Sequence, residues 1–150
     1  MKRFLKFGVL ALVLVLVAGC EAGGGKKLTC SSKESRNDES MEVKYIYTFN
    51  KDDELVSAEG VASRTYSDKD DAKDAKEDAD DAADEINDID GLSYKSKLSG
   101  KKVTVTMTAK LSKMDEDDID AYFRSYFLVD ADAERDDIKD KLEDYGYKCK

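Results

Sequence analysis

The sequence predicts an α+β fold: an antiparallel sheet of two hairpins in the order ββαββαα, with helices packed on one face. Three observations predict it. Two stretches, 41–49 and 92–111, alternate apolar and polar residues with the period of a half-buried strand. Between them, alanines and isoleucines from Ala72 to Ile89 recur at offsets of three and four, the period of a helix. The second alternating stretch is lysine and threonine along one side, which leaves that side of the sheet to solvent.

Taken in order, Ser31 to Ser40 is polar and carries no strand pattern. Met41, Val43, Tyr45, Tyr47 and Phe49 then share a face. Asn50-Lys51-Asp52-Asp53 supplies turn chemistry, and Glu54 to Tyr66 resumes an extended run with Gly60 as a bulge, so the two runs form the first hairpin. Ser67 or Asp68 caps a helix of about six turns. Its inward stripe is Ala72, Ala75, Ala79, Ala82, Ala83, Ile86 and Ile89, and Gly91 takes the C′ position. Alanines bury little area each, so this helix gains stability only by approaching a sheet closely.

In the second hairpin, Leu92, Tyr94, Ser96 and Leu98 alternate with Lys95 and Lys97, and Ser99-Gly100 turns the chain. Val103, Val105, Met107, Ala109 and Leu111 then alternate with Lys102, Thr104, Thr106, Thr108 and Lys110. Ile119, Tyr122, Phe123 and Tyr126 set a helix within 115–126. Asp130 or Asp132 caps a last helix with Ile138, Leu142 and Tyr145 inward and Gly146 as its stop, leaving Tyr147-Lys148-Cys149 extended.

Composition narrows the chemistry. The chain has 150 residues, 34 acids against 25 bases, three cysteines and no histidine, proline or tryptophan, which suits one modest domain. Without histidine there is no Ser-His-Asp or Cys-His nucleophile and no histidine metal ligand. A net charge of −9 argues against nucleic acid as a partner.

The N-terminal segment is an address. Met1 to Lys6 carries three positive charges, and Phe7 to Ala18 runs twelve residues with apolar side chains and one glycine. Twelve helical residues rise about 18 Å, against a hydrocarbon core of about 30 Å, so the pattern is a secretory signal and not a membrane span. The run ends in Val17-Ala18-Gly19-Cys20, which resembles the lipobox of bacterial lipoprotein precursors. That resemblance implies a diacylglyceryl group on Cys20 and a mature chain that begins there. Two acyl chains hold a protein durably at a bilayer where one does not. Removing residues 1–19 takes Lys2, Arg3 and Lys6 with them and moves the formal charge from −9 to −12. The expected division is a signal peptide at 1–19, a lipidated cysteine and glycine-rich tether at 20–29, and an extracytoplasmic domain at 30–150. The tether has a reach of roughly 15 to 18 Å.

With Cys20 lipidated, Cys30 and Cys149 remain as an even pair in an exported chain and are expected to form one disulfide. A loop of that length is worth on the order of 4 to 5 kcal/mol in the chain-entropy picture. No CxxC spacing points to redox or metal chemistry.

Taken together, the lipobox at Cys20, the opening Leu28-Thr29-Cys30, Lys102-Val103-Thr104-Val105-Thr106, Leu111-Ser112-Lys113-Met114 and the terminal Gly146-Tyr147-Lys148-Cys149 resemble the small bacterial lipoproteins of the YehR type. The resemblance implies the same anchored α+β domain, and it carries no catalytic residue.

Three features of the sequence bear on chemistry. The helix from Asp68 is acidic, with like-charged neighbours such as Asp70 with Asp74 and Asp80 with Asp84 that oppose it by a few tenths of a kcal/mol each. A solvated, solubilising face is the favoured reading over a Ca²⁺ or Mg²⁺ site. The EF-hand-like run Asn87-Asp88-Ile89-Asp90-Gly91 fails because Ile86 and Lys97 occupy ligand positions. The tyrosines at strand and helix spacing are read as core, not as a carbohydrate or peptide groove. Lys44, Lys95, Lys97, Lys102 and Lys110 fall on the open sheet face, where an anionic polymer or partner protein of the cell envelope is one reading and a solvated surface the other. No carboxylate pair is fixed in a cleft by any pattern, so the chain is not expected to be an enzyme and calls for no cofactor or metal.

The expectation is a lipid-anchored, extracytoplasmic binding or interaction module at the cell membrane. A divalent-cation- or small-solute-binding accessory protein is the alternative, and a hydrolase a distant third. The mature protein should have the mass of residues 20–150 plus lipid, and reductant should add the mass of two hydrogens. Cys20→Ser should release the protein from washed envelopes; full retention of that variant would refute the anchor.

Overall fold

The structure, a computed structural model, describes residues 25–36 and 39–150. The described strands form one antiparallel sheet from β1 (Lys27–Arg36), β2 (Glu39–Phe49), β3 (Leu55–Thr65), β4 (Leu92–Ser99), β5 (Lys102–Lys110) and β6 (Lys148–Cys149), in the order β4-β5-β3-β2-β1-β6. The two expected hairpins are β2–β3 and β4–β5, and they join through the β3–β5 ladder. The predicted α+β class and one-sided packing are borne out. Leu28, Tyr47, Ala58, Ala109 and Leu92 lie in one row across five strands, and all five are buried. The next row on the same face is Cys30, Tyr45, Gly60, Met107 and Tyr94.

Helices cover that face. α1 (Lys69–Ile86) lies over β4 and β5, with Ala72, Ala79 and Ile86 buried against them. The small stripe allows the close approach that the sequence requires. Asp68 caps α1 through a 2.6 Å hydrogen bond from the Asp70 amide. At the other end, the Asn87 side-chain amide donates to the Tyr94 carbonyl at 3.1 Å and accepts from the Tyr94 amide at 2.7 Å. These bonds satisfy backbone groups of the edge strand β4 that no further strand would pair.

A continuous helical segment follows β5: α2 (Glu116–Asp118), a π-turn (Ile119–Phe123) and α3 (Arg124–Phe127). It packs its Phe123 and Phe127 rings, 5.0 Å apart, over the sheet. Leu128 ends it in the left-handed conformation, φ 65°. The buried Tyr47 hydroxyl donates to the Phe127 carbonyl at 2.7 Å, satisfying an acceptor in the final turn that has no helical partner. α4 (Arg135–Asp144) seats Ile138 and Leu142 in the core and rests on β1 and β6. Its end is a Schellman motif: the Tyr147 amide bonds the Leu142 carbonyl at 3.0 Å and the Gly146 amide bonds the Glu143 carbonyl at 2.9 Å.

Several sequence expectations need correction. The polar stretch is strand at 31–36 and 39–40: β1 runs to Arg36 and β2 starts at Glu39. Ladder bonds to β2 hold it there, because its inward positions beyond Cys30 are Ser32 and Glu34 and offer little to bury. β1 also begins at Lys27, so the folded domain starts three residues before the boundary drawn at 30. Gly60 is in register and is not a bulge. The irregularity lies at Thr48/Phe49, where the extra residue returns Leu55 to the inner face opposite Phe49. Gly60 instead admits the Tyr45 ring, since a Cβ there would lie 3.2 Å from Cε1 of that ring.

α1 stops at Ile86, with Asn87 as its cap. Gly91 turns the chain later, at φ 83°, where a Cβ would also meet the Lys110 carbonyl oxygen at 2.9 Å. Leu111 leaves the strand and starts a 3₁₀ turn, Leu111–Lys113. Neither Asp130 nor Asp132 caps α4; Glu134 holds that position without a side-chain cap bond. Tyr145 is 60% exposed, because the Schellman turn carries the chain round and brings Tyr147 inward instead. The Tyr147 ring lies 5.7 Å from that of Tyr45.

Cys30 and Cys149 face each other across the β1–β6 ladder with their sulfurs at disulfide distance and their Cα atoms 4.0 Å apart. They tie the last strand to the first over a separation of 119 residues.

Tyr47→Phe should cost about 1–3 kcal/mol, because it leaves a buried carbonyl without a donor. Urea unfolding followed by far-UV circular dichroism checks this, and an unchanged midpoint would remove the hydrogen bond from the account. Burial, followed by the neighbouring Tyr147, pushes the Tyr45 phenol up to about 12. Tyr47 is shifted in the same direction, first by burial and then by Tyr45 and Tyr147. The folded chain thus holds these protons more tightly than the unfolded chain, whose tyrosines titrate near about 10. Their contribution is complete below about pH 10 and is lost as pH rises toward about 12. Tyr45→Phe should flatten the fall in melting temperature over that window; parallel curves would contradict the assignment.

Candidate binding face

Strand alternation sends every second residue to the face that the helices leave bare. The registers align those residues. One row is Lys148, Ser31, Lys44, Val61, Thr106 and Lys95, and the next is Lys33, Glu42, Ser63, Thr104 and Lys97. Lys27, Lys102 and Lys110 fall on the same face, in the outer rows at the strand ends. The face therefore gathers eight lysines from five strands, against the two carboxylates Glu42 and Glu59.

None of these eight lysines lies within 4.0 Å of a carboxylate among the described residues. The ion pairs that do form sit at the sheet margins and in the helix layer, for example Lys26–Asp53 at 2.9 Å and Lys73–Asp70 at 3.0 Å. Lys95, Lys97, Lys102 and Lys110 are exposed, and Lys44 is half-buried among its strand neighbours. Between the lysines run the short hydroxyl side chains of Ser31, Ser63, Thr104, Thr106 and Thr108, which keep the surface low. Such a surface can hold extended anionic groups by several charges at once.

The helix layer carries the opposite sign. On α1, Asp74, Glu77, Asp81 and Asp84 point away from the sheet, all exposed and none in an ion pair among the described residues. Asp80 is different: bonds from Lys76 and then from the Ser96 hydroxyl hold its carboxyl below the usual carboxylate range and tie α1 to β4. Among the described residues no group of three or more carboxylates or cysteines is arranged to hold a metal ion.

The structure brings together the five lysines that alternation had placed on the open face. Lys27, Lys33 and Lys148 join them although β1 and β6 carry no apolar alternation; the signal in the sequence is the Cys30–Cys149 pairing, which fixes the facing of both strands. The tyrosines divide. Tyr47 is core, Tyr45 and Tyr147 pack against it, and Tyr122 stacks on Tyr126 at 6.3 Å on the half-exposed side of the helical segment. A cleft of about 350 Å³ lies between α1 and the inner face of β3 and β5. Ala62, Ala75, Ala79 and Val105 line it, and Met41, 49% exposed, stands at its mouth. Cys20 lies outside the described residues. No helix among the described residues is long and apolar enough to cross a membrane.

No protein-family model matches the chain, and no curated protein matches it. Two solved structures are similar. The solution structure of the Escherichia coli YehR protein superposes with a TM-score of 0.57 at 14% identity, covering 84% of this chain and 92% of that one. A protein from Streptococcus pneumoniae TIGR4 superposes with a TM-score of 0.54, also at 14% identity, covering 100% of this chain and 96% of that one. The chain has a YehR-like α+β fold, which is what a likeness at that identity establishes.

Proposed function

We propose that the protein is a bacterial lipoprotein, a non-enzymatic binding module held at the extracytoplasmic face of the cell membrane through Cys20, and that the lysine face binds an anionic partner of the cell envelope. One observation carries the reading: eight lysines project from one side of a net-acidic chain, and none has a carboxylate within ion-pair distance among the described residues. With a Debye length of about 8 Å at physiological salt, such a face acts on what touches it largely independently of the charge on the far side.

The anchor supports the same reading through geometry. β1 starts seven residues after Cys20, at the end of the sheet that also holds the β2–β3 turn. A glycine-rich tether joined at that end leaves the lysine face accessible to neighbours. Polyphosphate is a suitable probe for the mature lipoprotein in detergent micelles. Lys44→Glu/Lys95→Glu/Lys97→Glu should weaken binding at least tenfold and flatten its salt dependence. Equal affinity for the triple variant would rule the face out as the binding surface.

A further inference from the structure

We infer that the anionic partner of the lysine face is the acidic α1 surface of a second copy of this chain, so that copies stack head to tail. The inference rests on the reading of the lysine face as the binding surface and names its occupant. Its basis is that the two charged surfaces lie back to back. α1 packs on the inner face of β4 and β5, and Lys95, Lys97, Lys102 and Lys110 project from the outer face of those same two strands. A translation along the sheet normal, with no rotation, therefore sets the outer side of α1 from one copy onto the lysines of the next.

The dimensions agree. The 18 residues of α1 extend about 27 Å, and the nine residues of β5 about 30 Å. The outward acids Asp74, Glu77, Asp81 and Asp84 recur every turn over about 15 Å of that length, within the span that the lysines flank on the opposing strands. Both sets are exposed and free of ion pairs among the described residues, so neither must break an existing pair to meet the other. Each lysine brought beside α1 also relieves the like-charge repulsion between successive turns of that helix.

The contact is heterologous. Each copy offers a donor side and an acceptor side, and rows grow without closing. Chains anchored in one membrane plane meet at raised local concentration, which favours such rows over soluble competitors.

The test uses the mature lipoprotein in detergent micelles, mixed from ¹⁴N- and ¹⁵N-labelled preparations and treated with a carbodiimide, which couples a lysine to a carboxylate in contact. Mixed-isotope peptides joining α1 carboxylates to Lys95, Lys97 or Lys102 are expected at low salt, with a yield at least tenfold lower in 0.5 M NaCl, where the Debye length is shorter than about 5 Å. Lys95→Glu/Lys97→Glu/Lys102→Glu and Asp74→Lys/Asp81→Lys/Asp84→Lys should each lose these products alone. Mixed together, they should recover mixed-isotope products, since each retains the surface that the other lacks and the two reversed surfaces are themselves complementary.

Absence of mixed-isotope products in the unaltered protein, or no recovery in the mixture, overturns the stacking. If polyphosphate still binds the unaltered protein and not the lysine variant, the anionic-partner reading stands while this inference fails. If polyphosphate binding fails as well, both fall.

Discussion

The pairing of β3 with β5 is the constraint on which the rest of the molecule depends. It joins two hairpins that are each complete by local sequence, and its register sets Ala58 against Ala109 and Gly60 against Met107. A slip of one residue would turn the inner face of one hairpin toward solvent and its lysines toward the helices. The small residues at the seam make the alignment specific. Ala58 and Ala109 leave room for the helical segment that carries Phe123 and Phe127, and Gly60 leaves room for the Tyr45 ring. The same register that closes the core therefore also aligns the cationic rows on the other side.

Legibility in the sequence followed the burial of side chains. β2 and β5 are legible because their inward residues are apolar at every second position, β4 because its inward residues are apolar apart from Ser96, and α1 because its alanines keep helical period. β1 is not, because only Leu28 and Cys30 are apolar on its inner side and backbone pairing does the rest. Helix ends depended on geometry beyond composition. Asp130 and Asp132 had the chemistry of caps, yet the chain enters α4 at Glu134, and the choice between Tyr145 and Tyr147 as the buried ring is made by the turn at Gly146. Five of the eight lysines on the open face are legible for the same reason that their strands are; Lys27, Lys33 and Lys148 depend on the facing of β1 and β6.

Charge in this chain is sorted by layer. The helices hold most of the acid on their solvent sides, while the strands hold lysine on theirs. Sequence order explains part of this, since acids cluster where the helical period runs and lysines where the alternating period runs. Folding explains the rest, because one-sided packing sends each set to its own surface. Asp80–Ser96, Asn87–Tyr94 and Tyr47–Phe127 are points at which the two layers touch through polar groups, and the first two hold α1 against β4.

Protection of sheet edges accounts for some of the lysines but not for all. Lys95 and Lys97 lie on the edge strand β4, where a charge discourages another strand from pairing. Lys27 and Lys33 sit on β1, which β6 covers only at Cys30 and Ser31, so the same argument applies to them. Lys44, Lys102 and Lys110 do not fit it. They belong to β2 and β5, which are paired on both sides and present no free backbone for an intruding strand. Solubility is no reason either in a chain that already carries a large excess of acid. What the interior lysines add is continuity: they extend the charge of the two edges across the middle of the sheet. A surface that only had to repel strands would need no such bridge, whereas one that binds a long anionic object does.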